Sequence, residues 1–277
     1  MRKTPATIAV LLLLGTAIRA EEKAAESITF PDQALQTALR TELKKGDSDA
    51  LTEEDLKNVY VLRAKGKQIA DLAGLERCTN LLLIDFAEND VENLAPLGTL
   101  KNLQSLDLSR NKISDVTPLA GLTKLQYLEL SGNRIANLKP LENLTKLSAL
   151  YLSDNDVTDA APVGKLTNLA SLYLGRNKIT NAAPLAPLTK LSILDLKDNR
   201  LKDVSPLVTL TRLQMLFLER NRLSNLTPLV GMAKADAEGE RLFAPTFRLF
   251  VAGNPLNQMS KESQLPQLAK YGVRVTR

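Results

Sequence analysis

The chain has 277 residues, 44% of them hydrophobic and 24% charged, a globular composition that excludes an intrinsically disordered protein. It contains no His and no Trp, and aromatics make up only 4%, so leucine must fill most of the core. Its 36 Lys and Arg exceed 31 Asp and Glu, but they form no concentrated basic face of the kind nucleic-acid binding requires.

The N-terminal "MRKTPATIAVLLLLGTAIRA" opens with Arg2 and Lys3, runs through an apolar stretch from Ile8 to Leu14, and closes with Ala17 and Ala20. That order is the anatomy of a secretory signal peptide cleaved after Ala20. The apolar stretch is far shorter than the ~20 residues a span needs, no cysteine follows it to carry a lipid, and no later segment could span a bilayer. Removing residues 1–20 deletes Arg2, Lys3 and Arg19 and leaves 33 basic against 31 acidic side chains, so the basic excess belongs largely to the leader. The expected location is therefore secreted, or the periplasm or cell envelope.

Residues 21–58 predict two short helices. In "ITFPDQALQTALRTELKK", Pro31 suits a first helical turn, while Ala34, Leu35, Ala38, Leu39 and Leu43 share one face and Gly46 suits the helix end. Thr52, ahead of Glu53, Glu54 and Asp55, suits an N-cap with acids in the first turn.

From residue 59 to 254 one phrase recurs. Asn89, Asn111, Asn133, Asn155, Asn177, Asn199 and Asn221 are 22 residues apart, and Pro96, Pro118, Pro140, Pro162, Pro184, Pro206 and Pro228 keep the same beat. Between them runs LxxLxLxxNxI…PLxxL, as in Leu103, Leu106, Leu108, Asn111, Ile113, Pro118, Leu119 and Leu122. The alternating "LDL" predicts a short strand with one buried face. The asparagine falls where the chain turns, and its inward amide can satisfy loop backbone groups that lack a ladder partner. Proline sets φ at the start of the return stretch. One coil cannot bury its own leucines; stacked coils can, their strands about 4.8 Å apart in a parallel sheet. A degenerate first unit spans Val59, Leu62, Ala64 and Ile69, with Lys67 where Asn belongs. The single cysteine, Cys78, occupies the slot of Leu100 and its equivalents and reads as a small buried apolar residue. After Asn221 an 11-residue insertion, "ADAEGERLFAP" (235–245), precedes Leu249, Val251 and Asn254, which rebuild one last strand and turn.

These residues resemble the leucine-rich-repeat family. The 22-residue period and the "PLxxL" return stretch are most similar to bacterial internalin-type repeats, and also to those of a eukaryotic phosphatase-1 regulatory protein. The resemblance implies an α/β fold: a right-handed, curved leucine-rich-repeat solenoid with its parallel β-sheet on the concave face. It makes 21–58 a helical N-terminal cap, 59–254 the repeats with the insertion at 235–245, and 255–277, with "LPQLAKYGVRV", a C-terminal cap. Exposed solenoid ends need such covers, because an open end is an aggregating edge.

The strand pattern then lists what the concave face carries. Mid-strand come Arg63, Asp85, Asp107, Glu129, Tyr151, Tyr173, Asp195, Phe217 and Phe250; two positions earlier come Val61, Leu83, Ser105, Tyr127, Ala149, Ser171, Ile193, Met215 and Arg248. Tyr127, Tyr151 and Tyr173 fall on adjacent coils, and Ile193, Met215, Phe217 and Phe250 extend an apolar patch toward the C-terminus. Tyrosine gives large contact area at little rotamer cost, and such a patch calls for a cover: a partner, or the insertion with Leu242 and Phe243. Asp85, Asp107 and Glu129 make an acidic ladder that a basic ligand or a cation would relieve and that a solvated face would also tolerate. With Asp195, these form the candidate partner-binding set. Asp154, Arg176, Asp198 and Arg220 alternate in sign and read as structural pairs.

Catalytic constellations are missing from the sequence. Without His there is neither a Ser–His–Asp nor a Cys–His arrangement, and no histidine metal site. "GLTK" (121–124) is repeat scaffolding, since "NLTK" and "PLTK" fill the same slots, and the sequons at 143–145 and 225–227 also arise from the repeat. The acids lie on a sheet rather than in an evident pocket. The expectation is a monomeric, non-enzymatic module that needs no cofactor and binds a protein or peptide ligand. Two other readings remain: an envelope-associated structural solenoid without a discrete site, or an intracellular adaptor like the phosphatase regulator if residues 1–20 are not an export signal. "QLPQLAK" lacks the Thr-Gly, apolar span and basic tail of a wall-sorting signal.

Overall fold

The computed structural model describes residues 27–239 and 246–277. The leader at 1–20 lies outside the described residues, as do 240–245 of the insertion, with Leu242 and Phe243.

Two helices open the chain, α1 (Gln33–Leu43) and α2 (Glu53–Lys57). Leu35 and Leu39 of α1 are fully buried, with Ala34, Ala38 and Leu43 packed beside them, as the one-sided pattern predicts. The helix ends differ from expectation. Pro31 stands outside the helix, and the N-cap is Asp32, whose carboxylate accepts from the Leu35 N–H at 2.9 Å. Its other oxygen accepts from the N–H groups of Ala70 and Asp71, which ties α1 to the first coil and holds the Asp32 carboxyl below its usual range despite the opposing effect of burial. At the other end Lys44, not Gly46, takes the left-handed conformation (φ 55°). Thr52 caps α2 as expected, in a reciprocal box with Asp55.

Ten three-residue strands follow: β1 (Val61–Arg63), β2 (Leu83–Asp85), β3 (Ser105–Asp107), β4 (Tyr127–Glu129), β5 (Ala149–Tyr151), β6 (Ser171–Tyr173), β7 (Ile193–Asp195), β8 (Met215–Phe217), β9 (Arg248–Phe250) and β10 (Arg274–Thr276). They form one parallel sheet in sequence order. From β1 to β8 every Cα pairs with the residue 22 positions on, as in Leu106↔Leu128↔Leu150. The molecule is thus the expected α/β leucine-rich-repeat solenoid, curved with its sheet on the concave face. Six return stretches after Asn89 are short 3-10 segments, each with its repeat proline at the first or second position. The seventh repeat proline, Pro228, instead opens α3 (Thr227–Glu238), which absorbs the start of the insertion and packs against the 3-10 segment Ser205–Thr209 and against α4 (Leu265–Lys270).

The asparagine ladder does what its chemistry predicts. Asn155 donates to the carbonyls of Leu130, Leu152 and Ser153 and accepts from the Ile135 N–H, joining two coils through one buried amide. Asn111, Asn177, Asn199 and Asn221 repeat the pattern. Asn89 reaches back to the degenerate coil and accepts from Lys67 N–H and Ile69 N–H. In each coil the residue before the ladder asparagine is left-handed, and only Gly132 and Gly253 among them spare a side chain that strain. Cys78 is fully buried and its thiol is pushed up to about 12 by burial, with Glu76 and Glu53 adding to it.

One row escaped the sequence reading. Asp71, Asn93, Asp115, Asn137, Asp159, Asn181, Asp203 and Asn225 each accept, through Oδ1, from the N–H two residues on. These Asx-turns start each return stretch, so the proline does not set that turn alone. The C-terminal cap also differs: β9 is not the last strand, since β10 pairs with it in register. Ser260 and Gln264 form a buried polar lock beneath the last coils. Gln264 accepts from Leu226 N–H and Ser260 Oγ while donating to Asn225 and Thr227.

Candidate functional site on the concave face

Alternation within each strand puts the middle residue inward and its neighbours on the open face, so the row from Arg63 to Phe250, expected mid-strand, is instead the last residue of each three-residue strand. Leu106, Leu128, Leu150, Leu172, Leu194 and Leu216 are all fully buried. On the open side Tyr127, Tyr151, Tyr173, Ile193, Met215, Phe217 and Phe250 are half-buried. The rings sit as the register requires. Tyr127 and Tyr151 have centroids 5.4 Å apart at 46°, Tyr151 and Tyr173 stack at 4.7 Å and 14°, and Phe217 stacks on Phe250 at 4.5 Å and 12°. Burial is the main cause raising the hydroxyl pKa of Tyr127, Tyr151 and Tyr173, and Glu129 raises the first two further.

Asp85, Asp107 and Glu129 stand in register on β2, β3 and β4, half-buried. Each uses a carboxylate oxygen to accept from the backbone two residues on: Ala87 N–H at 3.1 Å, Ser109 N–H at 2.9 Å and Ser131 N–H at 2.7 Å. These bonds close the turn after each strand, so the acids have a local structural task. Among the described residues no Lys or Arg lies within ion-pair distance of any of the three, whereas Glu88, Asp90 and Asp154 are all paired. Burial, with Asp107 adding to it, raises the Glu129 carboxyl above its usual value. Among the described residues no group of three or more His, Cys, Asp or Glu is placed to hold a metal ion.

Asp195 differs from the other candidates. It is buried at 3% exposure, accepts from Lys197 N–H at 2.9 Å and pairs with the Lys197 ammonium at 3.4 Å, while burial raises its carboxyl pKa. It stands in the same outward column as Tyr173 and Phe217, but it is almost wholly covered there. Along the strand ends, Arg176 pairs with Asp154 at 3.0 Å and Arg220 holds Asp198 with two nitrogens, so the alternating charges form the expected structural pairs.

Two features went unread in the sequence. Glu219, two residues after Phe217, has a buried Oε2 without a hydrogen-bond partner among the described residues. The signal was a carboxylate in a column that holds small residues from Ala87 to Gly175 and a cation, Lys197, on the coil before. The second is a groove of about 510 Å³ between α1 and β1, lined by Gln33, Ala34, Thr37, Ala38, Arg63 and Lys67, which no single-strand pattern reveals.

Comparison with known proteins places this geometry. A family profile described as "Leucine Rich repeats (2 copies)" matches residues 79–121, 101–144, 123–159 and 145–187, and one described as "Leucine rich repeat" matches 167–223. The crystal structure of an internalin C2 from Listeria monocytogenes is 34% identical, with a TM-score of 0.71 over 75% of this chain and 96% of that one. The functional domain of InlJ from Listeria monocytogenes shares the fold at 20% identity and TM-score 0.55, over 85% of this chain and 58% of that one. So does the ectodomain of the plant membrane receptor kinase GASSHO1/SCHENGEN3 from Arabidopsis thaliana, solved in complex with Casparian strip integrity factor 2, at 22% identity and TM-score 0.61, over 77% of this chain and 26% of that one. No curated protein matches the sequence. Among the described residues no helix is long and apolar enough to cross a membrane.

Proposed function

The chain belongs to the leucine-rich-repeat family, in its internalin-like form, and from that premise we propose that it is an exported, non-enzymatic module binding a protein or peptide on the concave face of its sheet. The observation that carries this reading is the run of Tyr127, Tyr151 and Tyr173, three neighbouring rings on a rigid sheet that no other described segment covers. A half-buried aromatic row of this kind supplies contact area that is already ordered, so little entropy is lost when a partner covers it. The lack of histidine and the local turn-closing bonds of the acids favour recognition over chemistry. Export rests on the composition of residues 1–20 and accords with the surface or extracellular character of the structural neighbours.

The test is capture from envelope and culture fractions with the mature chain as bait. Replacing Tyr151 and Tyr173 together by Ala should abolish capture while lowering the melting temperature only slightly, since both rings are already half in water. Capture that persists in the double variant refutes the concave-face assignment. Association with wall material alone, with no discrete partner, would favour a structural envelope role instead.

A further inference from the structure

The concave face is charged against the rest of the chain. Between β2 and β8 the columns at the strand ends and two residues on carry Asp85, Asp107, Glu129, Asp195 and Glu219 against one cation, Lys197, while the next column balances Glu88, Asp154 and Asp198 against Arg110, Arg176 and Arg220, with Arg110 lining the same hollow as Glu129. Without residues 1–20 the chain carries 33 basic against 31 acidic side chains and is slightly net basic. Outside β2–β8 the sign reverses: Arg63 and Lys65 flank one end of this zone, and Arg248 and Arg274 the other. The acidic zone is therefore bounded, and it coincides with the aromatic row. Glu129 is the Cα partner of Tyr151 and shares a strand face with Tyr127, so a carboxylate without an ion pair stands at the corner of two tilted rings. An aromatic face beside a carboxylate is the surrounding that a guanidinium or ammonium group seeks, through cation–π attraction and an ion pair together. At the other end of the zone, Phe217 and Phe250 stack, and Ile193 and Met215 fall on neighbouring positions of the same face, an apolar platform.

We propose that the ligand is a basic, extended peptide segment, with one Arg or Lys side chain seated between Glu129 and the rings of Tyr127 and Tyr151 and an apolar side chain on the Phe217–Phe250 platform. This rests on the concave-face reading above and names the chemistry of its partner. The spacing follows from the sheet: β4 and β8 are four strand intervals apart, about 19 Å, which an extended chain crosses in about six residues. Charge complementarity selects the sign, because a neutral or acidic segment would leave the ladder repulsion in place or add to it. The raised carboxyl of Glu129 accords with this, since an incoming cation would favour its ionised form.

A displayed library of random 12-residue peptides, selected on the full chain, tests the proposal. The expected enrichment is a Lys or Arg followed or preceded, about six positions away, by an aromatic or aliphatic residue. Binding of the selected peptides should fall about tenfold in the Asp107→Asn/Glu129→Gln variant, which keeps an acceptor oxygen for each turn-closing bond, and should weaken steeply with added salt. Selected peptides that are neutral or acidic, lose binding in Tyr151→Ala and ignore Asp107→Asn/Glu129→Gln would overturn the cationic ligand while leaving the concave face intact. Acidic peptides that depend on Arg63 and Lys67 would move the site to the α1–β1 groove and overturn both. Basic peptides that bind all these variants alike, or no enrichment at all, would also overturn the proposal.

Discussion

At the residue scale, two side-chain types do unequal work. The ladder asparagines each satisfy several backbone groups that would otherwise be buried and unpaired, so their loss leaves orphans rather than a gap. Asn155→Ala strands the carbonyls of Leu130 and Leu152 and the N–H of Ile135, and should cost about 3 kcal/mol in urea unfolding. Asn133, half-buried beside Gly132, should tolerate Ala better because water can reach its partners. The acids are tuned by burial. Glu129 has a native pKa above its usual 4.5, so the native state binds its proton more tightly than the unfolded chain does. The stabilisation from that proton is complete below pH 4.5 and disappears as pH rises through the native value. Glu129→Gln should remove this loss: relative to wild type, the variant should gain melting temperature as pH rises above 4.5. A constant difference across that range would show that Glu129 is not destabilised by ionisation. Asp195 acts in the same sense, whereas Asp32 and Asp55, whose values are lowered, stabilise above their usual range and fail in acid.

At the element scale, the repeat fixed almost everything that recurs and little that does not. Strand register, the facing tyrosines and the buried leucines were legible because each is restated every 22 residues, and a one-residue slip would turn every leucine outward. The ends were less legible because each is built once. Asp32 rather than Pro31 caps α1 since its side chain also reaches the first coil, a contact that no local pattern records. Residues 274–276 are too short to announce a strand and become one only beside Arg248–Phe250. The Asx row recurs with the same period, but alternating Asp and Asn before a proline also suit a solvated loop, so the pattern alone does not mark the turn. On the concave face, the location of Tyr127, Tyr151 and Tyr173 was legible, while the burial of Asp195 was not, because it depends on what its neighbours cover. The end covers are where single substitutions should act on a whole element. Gln264→Ala breaks four hydrogen bonds at once, two of them fully buried, and should cost about 2–4 kcal/mol, with fraying of α3 and α4 ahead of the central coils in hydrogen exchange. Simultaneous exchange throughout the chain would contradict an end lock.

At the scale of the whole molecule, stacking makes one long sheet out of three-residue strands that would not stand alone. Each coil touches mainly its neighbours, so rigidity accumulates by repetition, and the face it presents is set before any ligand arrives. The ring stacking across β4, β5 and β6 is a by-product of that register and also the feature a partner would use. The measurement that tests this account most directly is site-specific photo-crosslinking. A photoreactive residue replaces Ser171, which lies on the sheet beside Tyr151 and Tyr173, or Val208, which is 37% exposed on a return stretch. The account predicts that the chain carrying the probe at 171 crosslinks to its partner and that the chain carrying it at 208 does not. Equal crosslinking from both positions, or crosslinking from 208 alone, would contradict it.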